Sequence, residues 1–219
     1  MPYDAVVFDN DGVIVEPTDS THITDAVCAA LHDVGVDPDR ERVEQAIAAS
    51  AGPHETLQTV GVDAVDVERF WRRREDLAAA TQMNLIRDGS KRLYDDVAAL
   101  TQLDARLGMV SNNQHETVSF IVDHYGLDFF DVVYGREPTV AGAERKKPDP
   151  YYLERALSDL GTRDALYVGD SEVDVRAAGR AGVDSAFLRR DHSADTELSA
   201  EPTYEVTDLY DLAEVVREG

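Results

Sequence analysis

The sequence predicts an α/β protein with a doubly wound parallel sheet and a helical insertion after the first strand. Residues 5–8 (AVVF) form a short, valine-rich run that ends in acidic residues, as buried parallel strands do. Residues 17–87 then show helical apolar spacing and no convincing strand. From residue 88 onward, helical segments alternate with short apolar strands, which is typical of a parallel sheet covered by helices.

The insertion carries four predicted helices, and we expect it to form a cap over residues 17–87. Within the last of these helices, Trp71 is expected to anchor the core, while the three arginines at 72–74 form a solvated face. Glycine, proline or aspartate lies near the ends of the predicted helices. The helices are predicted over residues 20–34, 40–49, 55–60 and 65–82.

The alternating part of the chain supplies the remaining strands. Helices are predicted over residues 90–103, 115–125, 150–160, 172–181 and 209–217. Strands are predicted over residues 106–110, 132–134, 165–168, 185–188 and 204–206. With residues 1–16, this part, residues 88–219, is expected to form the catalytic core.

The charge of the chain is strongly acidic. Its 44 acidic residues face 21 basic ones, and the net charge is −23. The acids are scattered, which indicates a solvated acidic surface and makes nucleic acid and anionic membranes poor partners. We expect a halophilic protein, because molar salt shortens the Debye length to about 3 Å and screens the self-repulsion.

Cysteine usage and hydropathy indicate a cytoplasmic protein. Cys28 is the only cysteine, which excludes an intrachain disulfide and a cysteine-based zinc cluster. No apolar run approaches the roughly 18 residues of a membrane span. The first residues enter a strand without a basic leader. The oligomeric state has no signal in the sequence.

Two aspartates close the first predicted strand. Asp9 and Asp11 are two residues apart, so in an extended segment both carboxylates can face one small volume. Two anions held that close repel each other, and a divalent cation or a shared proton relieves the repulsion. Gly12 lets the chain turn without a side chain in the site. An ordinary acidic turn is the competing interpretation.

Three later segments carry polar side chains where a strand ends or where prolines stiffen a loop. These side chains are Ser111, Asn112, Lys147, Asp170 and Asp174. Helix capping explains several of them equally well, but the chain has only three lysines, and two are adjacent in the proline-flanked loop. Because parallel strands open on one edge of the sheet, we expect the whole group to meet the opening pair of aspartates.

Such a group of side chains suits phosphoryl transfer. Hard carboxylate oxygens favour Mg²⁺, while a hydroxyl, an amide and an ammonium suit phosphate oxygens. A carboxylate that faces a phosphoryl group can act as nucleophile and form an aspartyl phosphate. These side chains therefore indicate phosphoryl transfer.

In their order along the chain, four segments resemble the motifs of the haloacid dehalogenase superfamily. Residues 9–13 (DNDGV), 111–113 (SNN), 147–150 (KPDP) and 169–174 (GDSEVD) resemble its first to fourth motifs. The subgroup with a helical cap inserted after the first motif, which includes phosphoglycolate phosphatase and β-phosphoglucomutase-like enzymes, is the most similar. The resemblance implies a Rossmann-like core with an inserted α-helical cap.

The resemblance also implies roles for the acidic residues. It makes Asp9 the nucleophile and a Mg²⁺ ligand. Asp11 would be the general acid and then the general base, with its backbone carbonyl on the metal. Asp170 would be the third protein ligand of the metal, and Asp174 would act through a water or through another ligand.

Phosphate binding and specificity follow from the same resemblance. Ser111, Asn112 and Lys147 resemble the residues that hold the phosphate. The loop that contains Gly52 and His54 resembles the specificity loop of related caps, although an ordinary interhelical turn explains it as well.

The expected function is a magnesium-dependent phosphatase, and the resemblance implies a small phosphorylated metabolite as its substrate. By the resemblance, Asp11 favours phosphate esters over halide displacement, and the absence of lysine from residues 17–87 argues against phosphonate cleavage through a Schiff base. A β-phosphoglucomutase-like sugar phosphomutase shares every motif and remains an alternative. A phospho-acceptor receiver module is the alternative from another class.

Overall fold

A parallel six-stranded sheet forms the centre of the protein in the computed structural model, which describes residues 3–62 and 64–218. Its strand order, β3-β2-β1-β4-β5-β6, puts the opening strand in the middle. The predicted α/β fold class is confirmed. The strands are β1 (Ala5–Phe8), β2 (Arg106–Gln114), β3 (Val132–Arg136), β4 (Ala165–Gly169), β5 (Asp184–Leu188) and β6 (Tyr204–Val206).

Side chains alternate across β1 and so build a separate apolar layer on each face of the sheet. Val6 and Phe8 pack into one buried layer, whereas Ala5 and Val7 pack into the other. Helices α5 and α9 cover the first layer, and α7 and α8 cover the second. The helices of this part are α5 (His115–Tyr125), α6 (Val140–Glu144), α7 (Tyr151–Leu160), α8 (Glu172–Ala181) and α9 (Leu209–Glu218).

The segment between β1 and β2 carries four helices around an apolar cluster of their own. Leu31, Val43, Leu57 and Phe70 are buried together there. Because α6 adds Val140 and other residues to the same cluster, the helical segment packs against the part that bears the sheet. The division into a cap and a core at residues 17 and 87 remains a prediction. The helices are α1 (Ser20–Asp33), α2 (Arg40–Ala48), α3 (Pro53–Thr59) and α4 (Val67–Arg87).

The structure corrects the helix predicted over residues 90–103. Only Asp95–Gln102 is helical, and that stretch is a 3₁₀ helix. Before it, Leu93 forms an antiparallel bridge with Val15, so the chain returning to the core pairs with the chain that leaves it. This long-range pairing outweighs the local helical pattern. In the described part of the chain, no helix combines the length and the apolarity needed to cross a bilayer.

Candidate active site

Three carboxylates converge where β1 and β4 end. Asp9 follows β1, and its N–H donates to the carbonyl of Val168 on β4 at 2.8 Å. Asp170 follows β4, and Asp174 lies in the first turn of α8. Each of the three carboxylates offers one oxygen, and these oxygens lie within 4.8 Å of one another. The meeting of these strand ends is what the parallel sheet predicted.

A buried lysine neutralises part of this acidic group. The Nζ atom of Lys147 lies 2.7 Å from Oδ1 of Asp9 and 2.7 Å from Oδ1 of Asp174. It also donates to the hydroxyl of Tyr167 at 2.9 Å. Burial disfavours the ammonium, but the two carboxylates outweigh it and raise the pKa of Lys147 well above its ordinary value. Lys147 is therefore a permanent positive charge beside Asp9.

The carboxyl groups of Asp9 and Asp170 are hard to ionise without a further cation. Burial raises the pKa of Asp9 to about 8; Lys147 opposes this, and the neighbouring carboxylates of Asp174 and Asp170 reinforce it. Burial also raises the pKa of Asp170, against the hydrogen bond from His192. A cation that binds the ionised carboxylates would relieve the repulsion between them and stabilise this group.

The residues present fit a magnesium ion. Carboxylate oxygens are hard ligands, and three of them are gathered in one buried volume. Gly12 keeps that volume open: its φ is +76°, and a Cβ there would lie 2.0 Å from Oδ2 of Asp170. The donor set consists of Asp9, Asp170 and Asp174.

Asp11 is held by Lys91, where the chain returns from the helical insertion to the sheet, and by Asn113 at the end of β2. Lys91 forms an ion pair with its carboxylate. The same ammonium donates to Oγ1 of Thr18 at 2.8 Å and to Oε1 of Gln82 at 2.9 Å. Asn113 also donates to the Asp11 carboxylate. The orientation of Asp11 therefore depends on where the insertion meets the core.

Lys91 was not among the predicted site residues, although the rarity of lysine in the sequence was a signal for it. The chain has only three lysines, and this scarcity drew attention to Lys147. Lys91 is just as buried, with 2% of its surface exposed. The scarcity of lysine alone was therefore a signal for Lys91 as well.

Ser111 and Asn112 lie in β2, which runs past the predicted strand end to Gln114. The Ser111 hydroxyl accepts a hydrogen bond from the N–H of Asn113 at 3.1 Å. The side chain of Asn112 brackets the backbone of Lys147: its Oδ1 accepts from the Lys147 N–H at 2.7 Å, and its Nδ2 donates to the Lys147 carbonyl at 3.3 Å. Asn112 therefore positions Lys147, and phosphate binding by Ser111 and Asn112 remains a prediction.

His192 is a second residue that the sequence analysis left without a role. Its Nε2 atom lies 2.6 Å from Oδ2 of Asp170. His192 belongs to a short 3₁₀ helix, Asp191–Ser193, after β5, and no metal-ligand spacing marks it in the sequence. Only the tertiary fold brings it to the Asp170 carboxylate.

Gly52 and His54 line a cavity other than the one that contains Asp9 and Asp11. This cavity is also lined by Lys146, Pro148 and Asp149. Gly52 precedes α3, where its N–H donates to Oε2 of Glu55 at 2.9 Å, and His54 is exposed. Their role in specificity remains a prediction.

The cavity that holds Asp9 and Asp11 has a volume of about 300 Å³ and receives several side chains from the insertion. Arg74 is one of them, which corrects the prediction that the arginines at 72–74 form a solvated face. Arg72 and Arg73 are exposed, but Arg74 is only 14% exposed because it lies one position further around α4. Trp71 is buried as predicted.

Comparison with known proteins finds a matching family model, similar relatives and solved structures with the same fold. A family model described as haloacid dehalogenase-like hydrolase matches residues 3–182. The pyrophosphatase PpaX of Listeria monocytogenes is 30% identical over 191 residues, 83% of each chain. A phosphoglycolate phosphatase of Cereibacter sphaeroides is 28% identical over 196 residues, 84% of each chain. The structure of CbbY from Rhodobacter sphaeroides in complex with phosphate shares the fold, with a TM-score of 0.70 at 21% identity and 96% coverage of both chains.

Proposed function

Because the chain belongs to the haloacid dehalogenase-like hydrolase family, we propose that it is a magnesium-dependent phosphatase of small phosphorylated metabolites. The observation that carries this proposal is the approach of Lys147 to Asp9, with Asp170 and Asp174 beside them. The pyrophosphatase and phosphoglycolate phosphatase among the relatives support a small phosphate-bearing substrate.

In the first step, a carboxylate oxygen of Asp9 attacks phosphorus and the bond from phosphorus to the leaving alcohol oxygen breaks. Asp11 donates a proton to that oxygen, so the alcohol leaves neutral. Lys147 and Ser111 hold phosphoryl oxygens, and Asn112 keeps Lys147 in place through its backbone. The product of this step is an aspartyl phosphate on Asp9.

In the second step, the Asp11 carboxylate takes a proton from a water molecule, and the water oxygen attacks phosphorus. The bond between phosphorus and the Asp9 oxygen breaks, which releases inorganic phosphate and restores the carboxylate. Lys91 holds the Asp11 side chain in both steps, through a hydrogen bond while Asp11 carries the proton and through an ion pair once the proton has left.

Of the three carboxylates that lie together, those of Asp9 and Asp170 would hold the magnesium ion, and that of Asp174 would lie beside them. The resemblance of residues 9–13 to the first motif adds the backbone carbonyl of Asp11 to the ligands. When bound, the ion would supply positive charge that neutralises the phosphoryl oxygens and the crowded carboxylates.

The two alternatives fare differently. The interpretation as a receiver-type signalling module is rejected, because the chain belongs to a hydrolase family. A β-phosphoglucomutase-like activity would use the same residues and differs in its products. It would be recognised by a sugar bisphosphate that accumulates and returns to an isomeric monophosphate, whereas a phosphatase releases inorganic phosphate.

The test is phosphate release from p-nitrophenyl phosphate in high salt, with and without Mg²⁺. We expect turnover that depends on Mg²⁺ and that Asp9→Asn abolishes while the far-UV circular dichroism spectrum is retained. Asp123→Asn changes an exposed aspartate on α5 in the same way and serves as the matched control. Wild-type rates in Asp9→Asn would refute the assignment of the nucleophile.

A further inference from the structure

Three cationic side chains meet where the helical insertion faces the sheet. Arg74 lies on α4, Arg136 ends β3, and Lys146 lies in the loop before α7. We refer to Arg74, Arg136 and Lys146 as the cation cluster. They line one cavity of about 250 Å³ together with Trp71. Such a concentration of positive charge is unexpected in a chain with a net charge of −23.

One buried carboxylate, that of Glu75, lies between the two guanidinium groups of the cluster. Arg136 approaches both of its oxygens, with Nη1 2.8 Å from Oε2 and Nη2 3.0 Å from Oε1. Arg74 lies 2.6 Å from Oε1. Despite burial, the arginines Arg136 and Arg74 lower the pKa of Glu75, so it is an anion. Even together with the exposed Glu55, whose charge acts on Lys146, two carboxylates do not balance three cations.

Two of the cationic side chains have hydrogen-bond donors without an anionic partner. The Nε atom of Arg74 is buried without a hydrogen-bond partner among the described residues. Lys146 donates to a neutral acceptor, the carbonyl of Ser50. Burial lowers the pKa of Arg74, and Arg136 lowers it further. Burial and the two arginines lower the pKa of Lys146 as well. An anion that enters the cavity would therefore stabilise the cation cluster by pairing with its surplus charge.

The cavity of the cation cluster lies directly beside the cavity of the nucleophile. Three residues, Arg74, Asn112 and Arg136, line both the cavity of the cation cluster and the cavity that contains Asp9. Two of the three cations are therefore within reach of the cavity in which the phosphoryl group is proposed to lie. The indole of Trp71 supports the two guanidinium groups, with Arg74 5.0 Å and Arg136 5.6 Å from the ring centroid. The donors are thus held in place before a ligand arrives.

A purely structural clamp between the insertion and the core is the competing explanation. It accounts for Arg136, which joins Glu75 on α4 to the carbonyl of Asn112 on β2 at 2.7 Å. The clamp also accounts for the bond from Lys146 to the carbonyl of Ser50 in the insertion. It does not account for the unpartnered Nε donor of Arg74 or for the surplus of positive charge in the cavity.

We propose that the cation cluster binds a second anionic group, a carboxylate or a phosphate, of the same small molecule whose phosphoryl group lies at Asp9. This inference rests on the proposed phosphatase function and narrows its substrates to phosphomonoesters that carry a second anion. Guanidinium groups bind both kinds of anion through paired N–H donors.

The experiment compares three substrates that differ at one end only: n-propyl phosphate, 3-(phosphonooxy)propanoate and propane-1,3-diyl bisphosphate. Phosphate release gives kcat/KM for each, in wild type and in Arg74→Gln, Lys146→Gln and Arg72→Gln. The last variant removes an exposed arginine from the same helix and is the matched control. We expect wild type to prefer at least one two-anion substrate over n-propyl phosphate by about tenfold or more, as for a charge-assisted contact.

In Arg74→Gln and in Lys146→Gln, that preference should fall by about tenfold, whereas Arg72→Gln should retain it. The preferred substrate distinguishes a carboxylate from a phosphate as the second anion. If Arg74→Gln does not fold, the preference in Lys146→Gln decides. Equal kcat/KM for all three substrates in wild type, or an unchanged preference in the folded cluster variants, would overturn the inference and leave the phosphatase standing. No phosphate release from these substrates or from p-nitrophenyl phosphate would instead overturn the proposed function.

Discussion

The buried ammonium of Lys91 forms an ion pair with the half-buried carboxylate of Asp11. Lys91 lies just after α4, where the chain returns to the sheet, and Asp11 lies just before the chain leaves it. The same ammonium contacts Thr18 and Gln82. The proposed general acid is thus held by the junction of the insertion and the core, so that Lys91 acts as a positioning residue.

We expect Lys91→Met to lower kcat for n-propyl phosphate by about 10- to 100-fold, because the alkoxide leaving group needs the proton of Asp11 and a loose Asp11 loses part of the general acid–base contribution. KM should change less, since Lys91 does not contact the proposed phosphate position. Steady-state kinetics separate the two parameters. The neighbouring exposed Arg92→Met is the control, and a wild-type kcat in Lys91→Met would contradict the positioning role.

Metal binding should stabilise the protein more at pH 8 than at pH 5. The pKa of Asp9 is raised to about 8 from its ordinary value of 3.8. Between these values the folded protein holds a proton that the unfolded chain has lost, so without metal the free energy of unfolding falls as the pH rises. Mg²⁺ binds the ionised carboxylates and competes with protons at low pH.

Melting temperatures with and without Mg²⁺, measured at pH 5 and pH 8, test this linkage. The increase caused by Mg²⁺ should be larger at pH 8, and the difference between the two pH values should shrink in Asp9→Asn. An equal increase at both pH values in wild type would be inconsistent with the raised pKa.

Gly12→Ala should cost activity out of proportion to stability. Its φ of +76° strains an alanine by about 1 kcal/mol, and the added Cβ would displace Oδ2 of Asp170 from a 2.0 Å contact. Gly35→Ala is the matched control, because its φ is +84° but no atom lies within 4 Å of the added Cβ. Both variants should lose similar backbone stability, whereas only Gly12→Ala should lose phosphatase activity and the Mg²⁺-induced rise in melting temperature. Full activity in Gly12→Ala would argue against a site at Asp170.

Salt should stabilise the fold strongly. With a net charge of −23, the folded chain repels itself at low ionic strength, and molar salt screens this repulsion. We expect the melting temperature to rise steadily as KCl increases from about 0.1 to 3 M. Sucrose at matched viscosity is the control for non-ionic effects, and a melting temperature independent of KCl would refute the halophilic interpretation.

The secondary structure was predictable where local signals are strong. The helices predicted over residues 115–125 and 172–181 match α5 and α8 at both ends, and each ends at a glycine with positive φ. The α-helix predicted over residues 90–103 was wrong in its first part, because the pairing between Leu93 and Val15 is a long-range interaction that no local window contains. The short helix α6 was missed for a similar reason, since its apolar residues pack on the insertion.

The sequence by itself determined the fold class and the residues that meet at the sheet edge, because strand periodicity is local and parallel strands open on one edge. Asp9 and Asp170 could therefore be named in advance, whereas the choice of Lys147 over Lys146 came from the resemblance of residues 147–150 to the third motif. Only the tertiary structure decided which side chains the helical insertion brings to that edge. The pairing of Asp11 with Lys91 and of Glu75 with Arg136 depends on how the insertion is oriented on the sheet, and that orientation arises from packing between segments far apart in the chain.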